Sequence, residues 1–136
     1  MATEADFERI GNYARMYNKD QGIDRHLCTR TTEMKVLVLS ISRTGTLSMQ
    51  SALSTLGLAN PYHLSSMYDN IGDTTMWLEA FDAQFRGIGT FEREQWDALL
   101  GHCGAVTDMP ANIFGPELAA AYPDAKIILT ERDVDK

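Results

Sequence analysis

LSISRTGTLSMQSALSTLG, residues 39–57, joins the end of an apolar run to an amphipathic pattern through a turn of small polar residues. The run leading into it, 34–39 (MKVLVL), has the near-continuous apolar character of a strand covered on both faces, as in a parallel sheet. Beyond the turn, Met49, Ala52, Leu53 and Leu56 recur at helical spacing, and Gly57 stands where a C-terminal cap belongs. The pattern predicts a strand over 34–39 and a helix over 46–56. Backbone N–H groups at a helix start lack intrahelical partners and carry the positive end of the helix dipole. In Ser42-Arg43-Thr44-Gly45-Thr46 the glycine permits a tight turn, the threonines bring hydroxyl donors and Arg43 brings a fixed cation. Such a turn seats a tetrahedral anion. The alternative is an ordinary strand–helix turn with a surface arginine, and the flanking strand and helix favour the anion seat.

The seat disfavours a nucleotide triphosphatase. Gly45 is followed by Thr46-Leu47 rather than Lys-Ser, so the lysine that reaches terminal phosphates and the hydroxyl at the usual magnesium position are both missing.

Outward from this stretch, strands and helices alternate. Phe7, Ile10, Ala14 and Tyr17 predict an amphipathic helix over 3–17, and 18–33 lacks periodicity and reads as a linker. Residues 1–34 are therefore expected to be an N-terminal helix and linker, with the α/β domain over 35–136. Helices are predicted over 74–85, with Trp77, Phe81 and Phe85 on one stripe, and over 91–100, with Thr90 as N-cap. Strands are predicted over 104–107 and 126–130, the latter buried, with a helix opened by Pro116 between them. The aromatic residues are expected in the core. His26 and His102 are expected in solvent. The order implies right-handed crossovers and a parallel sheet, in a chain that stops short after its third strand.

The 136 residues suit one modest core, and 44% hydrophobic with 23% charged content is ordinary for a globular protein. A net charge of -7 argues against non-specific nucleic-acid binding, which needs a basic face, but leaves room for an anionic small ligand. No apolar run approaches the ~20 residues of a membrane span, no secretory signal is visible, and Cys28 and Cys103 lack metal-like spacing. These features point to a cytoplasmic protein with reduced thiols and no membrane partner. A sheet ending at its third strand leaves an edge, through which self-association is expected.

Four blocks in order, SRTGTLSM with a helix closed by Leu-Gly, then Tyr-His, then VTDMP, then YPDAKIILTERD, resemble the P-loop sulfotransferase superfamily, most closely its fungal-type branch with a Pro/Ser-Arg-Thr-Gly-Thr loop. The resemblance covers 35–136 and implies a three-layer α/β/α fold. It also implies transfer of a sulfuryl group from 3′-phosphoadenosine 5′-phosphosulfate to a small hydroxyl- or amine-bearing acceptor, without a metal. The family's phosphosulfate loop falls on Ser42, Arg43, Thr44, Gly45, Thr46 and Leu47, with Arg43 in place of the more familiar lysine. Its 3′-phosphate grip falls on Arg132. Where many members place a histidine base, this chain has Asp108, and His63 is the second candidate. A histidine near neutral pKa is the easier base, whereas an aspartate needs burial to raise its pKa.

Each of these residues also has a structural reading. Asp108 could cap the turn before Pro110, His63 could be a packed histidine beside Tyr62, and Arg132 could pair within the cluster of Glu131 and Asp133. Two other functions stand beside transfer: a non-catalytic anion-binding or interaction module, and a P-loop nucleotide kinase or triphosphatase.

Overall fold

A computed structural model of the chain describes residues 1–133, so the end of the expected domain, 134–136, lies outside the described residues. Three short strands, β1 (Val36–Val38), β2 (Ala105–Thr107) and β3 (Lys126–Ile128), form a parallel sheet in the order β2-β1-β3. Leu37 pairs with Val106 on one side and Ile127 on the other.

Side chains alternate across β1, and this alternation separates the layers. Val38 points with Ala105 towards Leu53 of α2 (Thr46–Thr55), with Met49 and Ile128 packed at the margin. Leu37 and Val106 point the other way, into a larger cluster with α3 (Asp73–Phe81), α4 (Arg93–Leu100) and α5 (Gly115–Ala121). Trp77, Trp96 and Phe114 fill that side, their ring centroids 5.3–5.9 Å apart. Helix, sheet, helices is the three-layer α/β/α arrangement. Among the described residues no helix is long and apolar enough to cross a membrane.

Several elements depart from what periodicity predicts. The N-terminal helix α1 (Glu4–Ile10) is capped by Thr3 and then tightens into a 3₁₀ segment, Gly11–Tyr17. Phe7 and Tyr17 remain exposed, and Ala14 is the buried residue of the four expected apolar positions. Helix α3 begins at Asp73 and ends in a π turn, Asp82–Arg86, closed by Gly87 at φ 64°. This leaves Phe85 60% exposed while Trp77 is buried. Glu92, not Thr90, is the N-cap of α4, its backbone N–H donating to Gln95 Oε1 at 2.8 Å. Strand β3 is not buried: Ile127 is 51% exposed and Leu129, just beyond its end, 69%, whereas β2, the other edge strand, is buried throughout.

The aperiodic stretch 18–33 is held by polar contacts that a hydrophobic pattern cannot show. Arg25 is buried, with Nε 3.0 Å from Asp73 Oδ1, and Asp73 also accepts from Asn70 Nδ2 and the Tyr62 hydroxyl. Arg30 bonds Asp97 and the Tyr122 hydroxyl, and its guanidinium lies over the Tyr122 ring. Gly101 lies directly beneath this stretch: a Cβ there would meet Arg30 Cα and Thr29 O at 2.7 Å. His26 is half exposed and ion-pairs with Asp24 and Glu79. His102, expected in solvent, is instead largely enclosed, with Nε2 3.3 Å from an Arg25 nitrogen and a buried Nδ1 that has no partner among the described residues. Burial, and then the Arg25 charge, push its pKa down to about 4.

Candidate functional site

All three strands run parallel, so their C-terminal ends meet at one edge. Because β1 lies between β2 and β3, the chain leaves it at the crevice where α/β sheets place ligands. The loop 40–45 emerges from β1, Asp108 from β2, and Thr130 and Arg132 from β3.

The loop is braced from within the sheet edge. Ser40 Oγ accepts from the Thr130 N–H at 2.7 Å, and the Ser40 carbonyl accepts from Asn112 Nδ2 at 3.1 Å. Thr44 Oγ1 donates to the Ile41 carbonyl at 2.7 Å and lies 3.0 Å from Thr130 Oγ1, so this hydroxyl fastens the loop and faces away from the anion seat. Arg132 donates to the Arg43 carbonyl at 3.2 Å. Within this frame Arg43 takes φ 73° and Gly45 φ 92°. For arginine the left-handed region costs on the order of 1 kcal/mol or more, which the surrounding bonds sustain. Gly45 adopts its angle without a Cβ penalty and opens α2, whose first turn no side chain caps. Gly45, Thr46 and Leu47 of that turn line the adjoining cavity.

Beside the loop lies a cavity of about 430 Å³, lined by Ser42, Arg43, Gly45, Thr46 and Leu47 on one side and His63, Leu64, Tyr68 and Asp108 on the other. Arg132 lines it as well. Of the sequence-predicted residues, Thr44 is the one turned elsewhere.

His63 and Asp108 meet. His63 Nε2 lies 3.2 Å from Asp108 Oδ2 and 3.3 Å from Thr46 Oγ1. The other carboxylate oxygen, Oδ1, accepts from the Ser42 hydroxyl at 2.6 Å. Asp108 is 3% exposed at φ 65°, in the left-handed region that aspartate tolerates better than most residues. Its side chain therefore joins the loop to His63, while its backbone carbonyl accepts the Asn112 N–H of the turn after the cis Met109–Pro110 bond. His63 Nδ1 accepts the Ser65 backbone N–H at 3.1 Å. Neutral imidazole has one proton, so that proton sits on Nε2, towards Asp108. Burial holds His63 below the ordinary histidine range; Asp108 opposes this shift and Arg15 adds to it. A neutral imidazole held this way donates its Nε2–H to the Asp108 carboxylate.

Sequence reasoning missed Asn12, Tyr13, Ser65 and Tyr68, which enclose the far wall. They lie on 3₁₀ turns, Gly11–Tyr17 and Leu64–Tyr68, which give no helical or strand period. One local signal was present: Ser66, three residues after His63, accepts the His63 backbone N–H on its Oγ at 3.1 Å, a reciprocal cap of the second turn.

Residues 35–136 match the family model of the sulfotransferase domain. The chain belongs to this family. Ava biosynthesis cluster protein M of Aspergillus versicolor is a relative, 46% identical over 100 residues. The matched stretch is 73% of this chain and 38% of that relative, so the chain spans well under two thirds of its length. The sulfotransferase-domain match begins one residue before β1 and takes in the loop, His63 and Asp108. It leaves out α1 and the Gly11–Tyr17 segment, which brings Asn12 and Tyr13 to the cavity's far wall.

Proposed function

We propose that the cavity binds 3′-phosphoadenosine 5′-phosphosulfate and that the protein transfers its sulfuryl group to a small hydroxyl- or amine-bearing acceptor. The observation that carries the reading is the uncapped α2 start, with Arg43 and Thr46, opening onto the same cavity as the Asp108–His63 pair. The donor set fits an anion: free first-turn amides, the Thr46 hydroxyl and two guanidinium groups surround a volume within the range of small-ligand pockets.

When bound, the donor supplies an activated sulfuryl group attached to phosphate. Arg43 and the loop amides offset the charge that builds on the phosphate oxygen as the group departs. Because His63 Nε2–H is shared with Thr46 Oγ1, the Thr46 hydroxyl proton is left for the anion. Arg132 is assigned to the 3′-phosphate. Asp108 is assigned as the proton acceptor, with His63 as the donor that orients its carboxylate, since His63 Nδ1 is already occupied. The unpaired Cys28 and Cys103 support a cytoplasmic setting, and exposed Ile127 and Leu129 on β3 support self-association at that edge.

The test is calorimetric binding of 3′,5′-adenosine bisphosphate against ADP, on the wild type and Arg43→Ala. The bisphosphate is expected to bind at least about tenfold more tightly than ADP, and loss of one charge-assisted contact to weaken it by about 10–100-fold. Equal affinities, or an Arg43→Ala protein that binds as well as wild type, would overturn the reading. One observation favours a second reading, an anion-binding module without turnover: both Asp108 oxygens already accept a protein hydrogen bond. Bisphosphate binding with no transfer to any hydroxyl or amine acceptor would select it.

A further inference from the structure

Part of the cavity's far wall, Ile10, Gly11, Asn12 and Tyr13, comes from outside the family-matched region. We propose that Asn12 is a positioning residue of this site: acting through Ser65, it fixes the imidazole of His63 with its proton on Nε2, facing Asp108. The purpose of that arrangement rests on the sulfuryl-transfer reading; its existence does not.

The bonds form a chain. Asn12 Nδ2 donates to Ser65 Oγ at 3.1 Å. Ser65 Oγ lies 3.0 Å from His63 Nδ1, and the Ser65 backbone N–H donates to the same nitrogen. The amide can only donate, which already favours an unprotonated Nδ1. The hydroxyl can do either: it can donate to Nδ1, or turn and accept from a protonated Nδ1. By donating to Ser65 Oγ, Asn12 engages an oxygen lone pair and leaves the O–H to point at Nδ1. Two donors then converge on one nitrogen, and the single imidazole proton is left on Nε2, 3.2 Å from the carboxylate of Asp108. The opposite tautomer would set a nitrogen lone pair against that carboxylate.

The segment that carries Asn12 is fixed to the turn that carries Ser65. Arg15 bonds Asp69 at 3.2 Å, and the rings of Tyr13 and Tyr68 lie 6.2 Å apart. Asn12 itself is half-buried, and Ser65 is buried. The cavity wall and the tautomer are thus set by the same contact between the two 3₁₀ turns.

The tautomer is read directly from the ¹⁵N resonances of the imidazoles, at about pH 8.5, well above the ordinary histidine range. The chain has three histidines, and His63→Gln assigns the signal. In the wild type, His63 Nδ1 is expected at the unprotonated position and Nε2 at the protonated one. In Asn12→Asp the new carboxylate accepts the Ser65 hydroxyl proton and turns an oxygen lone pair towards Nδ1. The ratio of tautomers should shift by about tenfold towards Nδ1–H, the weight of one hydrogen bond. Asn12→Ala should move it the same way by less, and carries the test alone if the added charge unfolds the protein. A wild type protonated at Nδ1, or His63 signals unchanged in every folded Asn12 variant, would overturn the proposal. No donor or acceptor molecule is added, so failure of bisphosphate binding would sink the transfer reading and leave this result standing.

Discussion

His63 Nε2 and Asp108 Oδ2 lie 3.2 Å apart, one from the Tyr62-His63 pair between α2 and β2 and the other directly after β2. Sequence reasoning presented these residues as alternative bases. In the fold they form one unit, with Ser42 bonded to the remaining carboxylate oxygen at 2.6 Å.

Asp108→Asn separates the chemistry of that unit from its geometry. Asparagine tolerates φ 65° as aspartate does, so the backbone should hold. Its amide has one acceptor where the carboxylate has two, and it cannot take a proton. Sulfuryl transfer should fall by about 10²–10⁴-fold while bisphosphate affinity changes little. Undiminished transfer would remove Asp108 from the proton path.

Arg25→Ala should be strongly destabilising. Arg25 and Asp73 are 8% and 1% exposed, and loss of the guanidinium leaves the carboxylate with only Asn70 and Tyr62 as neutral donors. Removing one partner of a buried pair costs about 3–5 kcal/mol. Urea unfolding measures the loss; a change under about 1 kcal/mol would mean that solvent reaches Asp73.

Gly101→Ala tests how closely the stretch before β1 is seated. A methyl there has no room against the Asp97 carbonyl of α4 or the Arg30 and Thr29 backbone, so the end of α4 and that stretch must both shift. Overpacking of this kind costs about 1–3 kcal/mol. A shift in thermal midpoint without loss of the folded NMR fingerprint is the expected outcome.

His102 gives stability a pH limb of defined sign. Its pKa is about 4 in the fold against 6.5 as the ordinary value, so the unfolded chain binds the proton first. Its contribution is complete above about pH 6.5 and is lost as pH falls towards 4. With allowance for solvent screening the loss is on the order of 1–2 kcal/mol. His63, also depressed, adds in the same direction, and His26, raised by its bond to Glu79, acts in the opposite one. Comparing wild type with His102→Gln isolates the one group: the difference in unfolding free energy should change between pH 7 and 5, and a flat difference would contradict the shift.

What could be read from the chain was whatever repeats locally. The apolar run at β1, the small-residue turn and the α2 stripe specify strand, loop and helix through neighbours a few residues away, and these choices hold with Val36–Val38, Gly45 at φ 92° and Thr46–Thr55. Burial of β3 was not legible. An apolar strand looks alike whether or not helices cover it, and only tertiary packing left Ile127 and Leu129 exposed while β2, at the other edge, is buried. Polar contacts were equally hidden, because the partner of Arg25 is a single carboxylate far along the chain and leaves no period in the sequence.

By itself, then, the sequence determined the alternation of elements, the parallel α/β class and the small-residue turn between β1 and α2, since each follows from backbone geometry and hydrophobic spacing over short range. Tertiary structure alone decided that Thr44 turns inward as a brace, that Asp108 faces both Ser42 and His63, and that Asn12 reaches Ser65 from outside the family-matched domain. Hydrogen bonds act over about 3 Å and depend on direction, so they are fixed only when packing brings distant segments together.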